Sequence, residues 1–114
     1  MKIEELKDKQ SGVNIELKVI YDRMEEQSTP WGQRSKTIVV ADVDSSVGSV
    51  TALLDLFDDD IEKFKFGDKI KVVNGYAKKV TTKRGEQFVI TYGFDKSTKK
   101  LIGHYELTES SKKE

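Results

Sequence analysis

Val13, Ile15, Leu17 and Val19 alternate with Asn14, Glu16 and Lys18. A two-residue apolar period fits a strand with one buried face and does not fit an amphipathic helix. Lys36–Asp42 reads as a second strand, with Thr37, Val39 and Ala41 on one face and Ile38 and Val40 on the other. Further strands are predicted at Val47–Leu54, Lys69–Tyr76 and Gln87–Tyr92, with an extra one at Leu101–Leu107. The punctuation between them is turn chemistry: a long polar loop over Asp22–Ser35, Asp42-Val43-Asp44-Ser45-Ser46, Gly67-Asp68, Lys83-Arg84-Gly85 and a polar loop at Asp95–Lys100. Asp58-Asp59-Asp60 opens a short helix at Ile61–Phe64, where acids suit the positive end of the dipole. Three strands, a short helix and two more strands is the order of an all-β, five-stranded Greek-key barrel of the OB-fold type, here with an extra C-terminal strand. The domain is predicted over residues 13–107, after a polar lead-in at 1–12 and before a frayed tail at 108–114.

The chain of 114 residues, 36% of them hydrophobic, suits one domain with one modest core. It contains no cysteine and one histidine, His104. Disulfides, thiolate metal sites and cysteine nucleophiles are therefore excluded, and a histidine-based metal centre is not expected. No Ser/His/Asp set can be assembled at a useful spacing, so the expectation is a non-enzyme without cofactor or metal. No run approaches the roughly 18 apolar residues of a membrane span, and Met1–Glu5 lacks the apolar segment of a secretory signal. A cytoplasmic protein without membrane association is the resulting expectation. The formal net charge is zero, but it is unevenly spread: residues 1–62 hold 7 Lys/Arg against 14 Asp/Glu, and residues 63–114 hold 13 against 6. Segregation of this kind permits a local basic face on a neutral protein, although lysines on exposed strand faces also serve plain solvation.

The run Phe64-Lys65-Phe66-Gly67-Asp68-Lys69-Ile70-Lys71-Val72-Val73-Asn74-Gly75-Tyr76-Ala77 resembles the fourth-strand entry of single-stranded DNA-binding OB-folds. These are the simple archaeal single-stranded DNA-binding proteins and the domains of replication protein A. Gly32 and Arg34, followed by Ile38-Val39-Val40-Ala41-Asp42, resemble that family's second strand and acidic turn, and Val47–Leu54 its third strand. The similarity covers about residues 13–93. It implies binding of single-stranded DNA or RNA without catalysis, in replication, recombination or repair, with replication or repair proteins as further partners. The sequence departs from the pattern at Asp55, where simple archaeal members place a stacking tryptophan, with Phe57 two residues on. A second family aromatic falls at Val80.

The candidate nucleic-acid-binding residues are Trp31, Arg34, Lys36, Tyr76, Lys78, Lys79, Lys83 and Arg84. Trp31, between Pro30 and Gly32, either plugs the barrel mouth or offers a platform on which a base stacks. Strict alternation from Ile70 and Val72 would bury Tyr76; a bulge at Asn74-Gly75 would turn it outward. Lys78, Lys79, Lys83 and Arg84 flank the hairpin between strands four and five and would contact phosphates, with Arg34 and Lys36 lining the facing surface. Phe57, Phe64 and Phe66 are expected to seal the barrel bottom, with Phe88 and Ile90 also in the core. The three consecutive aspartates are read as helix-capping acids, since neighbouring side chains in a first turn point apart. The alternative function is a protein-interaction OB module acting as a subunit of a larger complex, favoured by the acidic first half and Asp55.

Overall fold

The computed structural model describes residues 2–22, 25–28, 30, 32–43, 50–83, 85–95, 97–98 and 100–109. Five strands close a barrel: β1 (Gln10–Tyr21), β3 (Arg34–Asp42), β4 (Thr51–Phe57), β6 (Gly85–Tyr92) and β5 (Lys69–Thr82). They are hydrogen-bonded in the order β1-β3-β4-β6-β5, and a β1–β5 pairing completes the circuit. All of these neighbours are antiparallel except β4 and β6, which run parallel. Closure leaves the barrel strands few free edges, and the architecture is that of an OB-like barrel. A short β2 (Gln27–Ser28) pairs with the start of β3, and a one-turn helix α1 (Asp60–Lys63) follows β4. After β6 come a small hairpin of β7 (Phe94–Asp95) and β8 (Lys100–Leu101), then β9 (His104–Glu109), which pairs with the first half of β5. Among the described residues, no helix is long and apolar enough to cross a membrane.

The inward positions are those the alternation selects. Val13, Ile15, Leu17 and Val19 of β1 are buried, as are Ile38 and Val40 of β3 and Ala52, Leu54 and Leu56 of β4. One layer of the core runs across paired residues Ile38, Leu54, Ile90 and Ala77. The elements are longer than expected, or displaced: β1 begins at Gln10 and β5 extends to Thr82, while β4 begins at Thr51. The expected strand start at Val47 lies outside the described residues. The lead-in is part of the core, because Ile3 and Leu6 are buried and the Ile3 amide donates to Asp42 Oδ1 at 2.9 Å. The polar loop at Asp95–Lys100 contributes its ends to the β7–β8 hairpin. The extra strand lies at His104–Glu109, a few residues beyond its expected start, and takes in the first two residues of the expected tail.

Two bulges redirect side chains. Along β5, Ile70 and Val72 are buried, and so are Gly75 and Ala77, so the inward parity changes between 72 and 75. The extra residue is absorbed at Asn74, whose φ is +51°, and the Asn74 amide donates to Asn14 Oδ1 at 3.2 Å. Along β1, Val19 pairs with Val40 but Tyr21 pairs with Val39, and the slip turns Tyr21 outward, 47% exposed. Gly93 and Gly103 pack against the Asn74 bulge: a Cβ on either would collide with the Asn74 carbonyl oxygen. Gly103→Ala is therefore expected to lower folding stability by about 1–3 kcal/mol, the usual penalty of overpacking. A thermal or urea melt checks this, and an unchanged midpoint would show that the crossing can relax.

Three of the aromatic expectations need correction. Phe64 is buried, but Phe66 is 63% exposed, because the turn at Gly67 (φ +87°) carries the chain around the barrel end. Phe57 is half-buried and packs on Tyr92 at 5.6 Å instead of filling the core. Phe88 is partly buried against the core. The ring closing this end is Tyr105 of β9, stacked on Tyr92 at 4.6 Å and edge-on to Phe64 at 6.2 Å. Its hydroxyl donates to the Asp55 carbonyl at 2.8 Å, so β9 is tied to β4 as well as to β5. Burial pushes the Tyr105 phenol well above its ordinary pKa.

Candidate nucleic-acid interface

Paired residues on neighbouring strands share a face of the sheet. The registers place Tyr21, Val39, Leu53, Val89 and Lys78 in one row across the outside of β1, β3, β4, β6 and β5. Val39, Leu53 and Val89 are half-buried, Lys78 is exposed and Tyr21 is nearly half exposed. The Tyr21, Val39 and Leu53 part of this row lines a groove of about 550 Å³. Ile20 and Tyr21 form one wall, Val39, Thr51 and Leu53 the floor, and Thr82, Lys83 and Gln87 of the β5–β6 hairpin the other wall. The groove therefore offers an aromatic ring, aliphatic floor atoms, an amide, three hydroxyls and an ammonium, a mixture suited to flat rings on a charged backbone. A smaller cleft of about 380 Å³ continues from Ile20 and Tyr21 past Asp22 to Phe66, whose amide donates to Asp22 Oδ2 at 2.9 Å.

The sequence-derived candidates separate into groups around this groove. Lys83 lines it, and Lys78 ends its apolar row on the same outer face. Tyr76 also stands on that face, half-buried and paired with Thr91, but it does not line the groove. Lys79 points the other way: its ammonium pairs with Glu86 at 3.2 Å and lies 5.7 Å above the Phe88 ring, while its amide donates to Asp8 at 2.9 Å. Lys36 shares the inward parity of Ile38 and borders a separate cleft of about 140 Å³ with Glu25 and Gln27. Trp31 and Arg84 lie outside the described residues.

Arg34 is occupied by acids. Its guanidinium meets Glu62 at 3.0 Å and Glu26 at 3.2 Å, and reaches the Asp58 carbonyl at 3.4 Å. The hydrogen bond to Glu62, ahead of the charges of Glu26 and Asp58, raises its pKa further. Arg34 thus clamps the β2–β3 region to α1 instead of presenting a free cation. The three aspartates do not cap the helix either. Asp59 makes no side-chain capping bond. Asp58, at φ +49°, accepts from the Arg34 amide at 3.2 Å and from Gln33 Nε2 at 3.2 Å. Asp60 accepts a hydrogen bond from the Tyr92 hydroxyl, and burial followed by that bond pushes the Tyr92 phenol far above its ordinary range. Among the described residues, no group of three or more His, Cys, Asp or Glu could hold a metal ion.

Asp55 lies on the groove's face of β4. It pairs with Thr37, whose hydroxyl donates to Asp55 Oδ1 at 2.8 Å. Burial raises the carboxyl pKa, partly offset by the Thr37 bond. A folded-state pKa above the unfolded one means that the folded protein holds the proton more tightly. Stability from this group then falls as pH rises from the ordinary aspartate range through the raised value. Asp55→Asn removes the ionisation and is expected to flatten that part of the stability–pH profile, measured by melts between acidic and neutral pH; a profile identical to wild type would contradict the assignment.

Of the residues lining the groove, sequence reasoning named Lys83 alone as a ligand contact; Tyr21 and Gln87 are among those it missed. Tyr21 continues the inward period of Val13–Val19, and only the slip at Ile20 brings it out. No protein-family model matches the chain, and no curated protein is detectably similar to it in sequence.

Proposed function

We propose that this domain binds single-stranded nucleic acid in the groove over β3 and β4, without catalysis. The observation that carries the reading is the row Tyr21–Val39–Leu53–Val89–Lys78, an apolar, aromatic-ended strip on the outside of an OB-like barrel with Lys83 at its rim. Bases would lie against Tyr21 and the aliphatic floor, a contact any base can make, while Lys78 and Lys83 meet phosphates. OB-folds grip oligonucleotides at this strand face and at the loops bounding it. Protection of single strands in replication, recombination or repair is the role that the family resemblance implies. Among the described residues no side chain is assigned to a 2′-hydroxyl, so DNA and RNA both fit the proposal.

Neutralising Lys78 and Lys83 together tests the phosphate contacts. For single strands each contact adds about 0.7 to the slope of log affinity against log salt, so the double alanine variant is expected to lower that slope by roughly 1.4 and to weaken binding of all sequences alike. A slope equal to wild type would place the phosphates elsewhere.

The protein-interaction reading has one observation in its favour. The α1 end of the barrel is acidic, and its arginine is consumed by Glu26 and Glu62. Binding by the unmodified domain of a basic protein segment, with no affinity for oligonucleotides, would favour it.

A further inference from the structure

We propose that Asp55 makes the groove selective among bases, favouring guanine and disfavouring thymine and uracil. The inference rests on the reading of the groove as a single-strand site. Asp55 shares the outer face of β4 with Leu53, a floor residue, and lies roughly 7 Å further along the strand. Asp55 does not itself line the groove but stands beside its Leu53 end, so a strand seated on the floor reaches it by extending one nucleotide along β4. The carboxylate is half-buried and oriented by Thr37 through Oδ1. Among the described residues it forms no salt bridge, and neither of its oxygens is sealed from solvent without a partner.

A fixed anion in this position has two consequences. It repels phosphates, so the backbone runs on the Lys78 and Lys83 side and the base edge faces β4. It also accepts hydrogen bonds and donates none. Guanine offers two adjacent donors, N1–H and the N2 amino group, which match two carboxylate oxygens. Cytosine and adenine each offer one amino group beside a ring acceptor. Thymine and uracil offer a single N–H between two carbonyl oxygens, both of which the carboxylate repels. An anionic side chain thus supplies what stacking on Tyr21 cannot, a distinction between bases.

The test compares short fluorescent strands of equal length: oligo-dT, oligo-dC, oligo-dA, and oligo-dT carrying isolated guanines, spaced so that quadruplexes cannot form. The wild-type chain is expected to bind the guanine-containing strand about fivefold or more tighter than oligo-dT, the scale of one good base contact. Asp55→Asn is expected to abolish that ratio while keeping or improving affinity for oligo-dT, since the repulsion is gone. Equal wild-type affinity for all four strands overturns the selectivity and leaves the binding reading intact. So does a preference that persists in Asp55→Asn. No binding of any strand overturns the binding reading and the selectivity with it. The wild-type ranking needs no variant, so the inference is falsifiable even if Asp55→Asn fails to fold.

Discussion

Phe64→Ala is expected to lower folding stability by about 3–5 kcal/mol, the range for removing a fully buried phenyl ring. Phe66→Ala, two residues later, is expected to change it by less than about 0.5 kcal/mol, as at an ordinary surface position. Phe64 is 2% exposed, edge-on to Tyr105, and fills the barrel end where β6 has left the circuit and β9 takes its place beside β5. Truncation there leaves a cavity bounded by Tyr105 and its hydrogen bond to Asp55, neither of which can collapse inward without breaking the tie between β9 and β4. Phe66 projects from the turn and is held through its amide by Asp22, a contact that alanine retains. Paired urea melts measure both variants. Similar losses in the two would mean that Phe66 belongs to the core after all.

Tyr21→Ala is expected to weaken oligonucleotide binding by about 1–3 kcal/mol, the value of one base stacked on an aromatic ring. The melting temperature should stay close to wild type, because the ring is nearly half exposed and its loss opens no cavity in the core. Binding and folding are read by separate measurements, so a general loss of structure cannot pass for loss of a platform. Tyr21→Phe keeps the ring and should keep the affinity. An alanine variant that binds as tightly as wild type would remove Tyr21 from the interface.

The strand order and the inward set of the barrel were legible because alternation is a strong signal where one face is buried: Val13, Ile15, Leu17, Val19, Ile38 and Val40 all point where their period directs them. The turn of Tyr76 to the outer face was also legible, since Asn74-Gly75 announces a bulge. The slip at Ile20 carries no such residue, and without it Tyr21 reads as one more core position. Charges were harder. Arg34 looks like a phosphate ligand until the fold brings Glu26 and Glu62 beside it, and Lys79 looks like a neighbour of Lys78 until the pleat turns it toward Glu86. Partners distant in sequence decide what a cation is free to do, and no local pattern encodes them. Phe66 failed for a related reason: Gly67 reverses the chain within one residue, and a helix-flanking aromatic on the wrong side of that reversal faces solvent.

The most direct test of the account is a titration of the full chain with a labelled single-stranded oligonucleotide at about 50 and 200 mM salt, with the matching duplex as control. Saturable binding of the single strand is expected, weakening at the higher salt without vanishing, because stacking in the groove survives screening while the Lys78 and Lys83 contacts do not. The duplex, whose bases are already stacked, should bind far more weakly. No binding of the single strand at the lower salt, or equal affinity for strand and duplex, would contradict it.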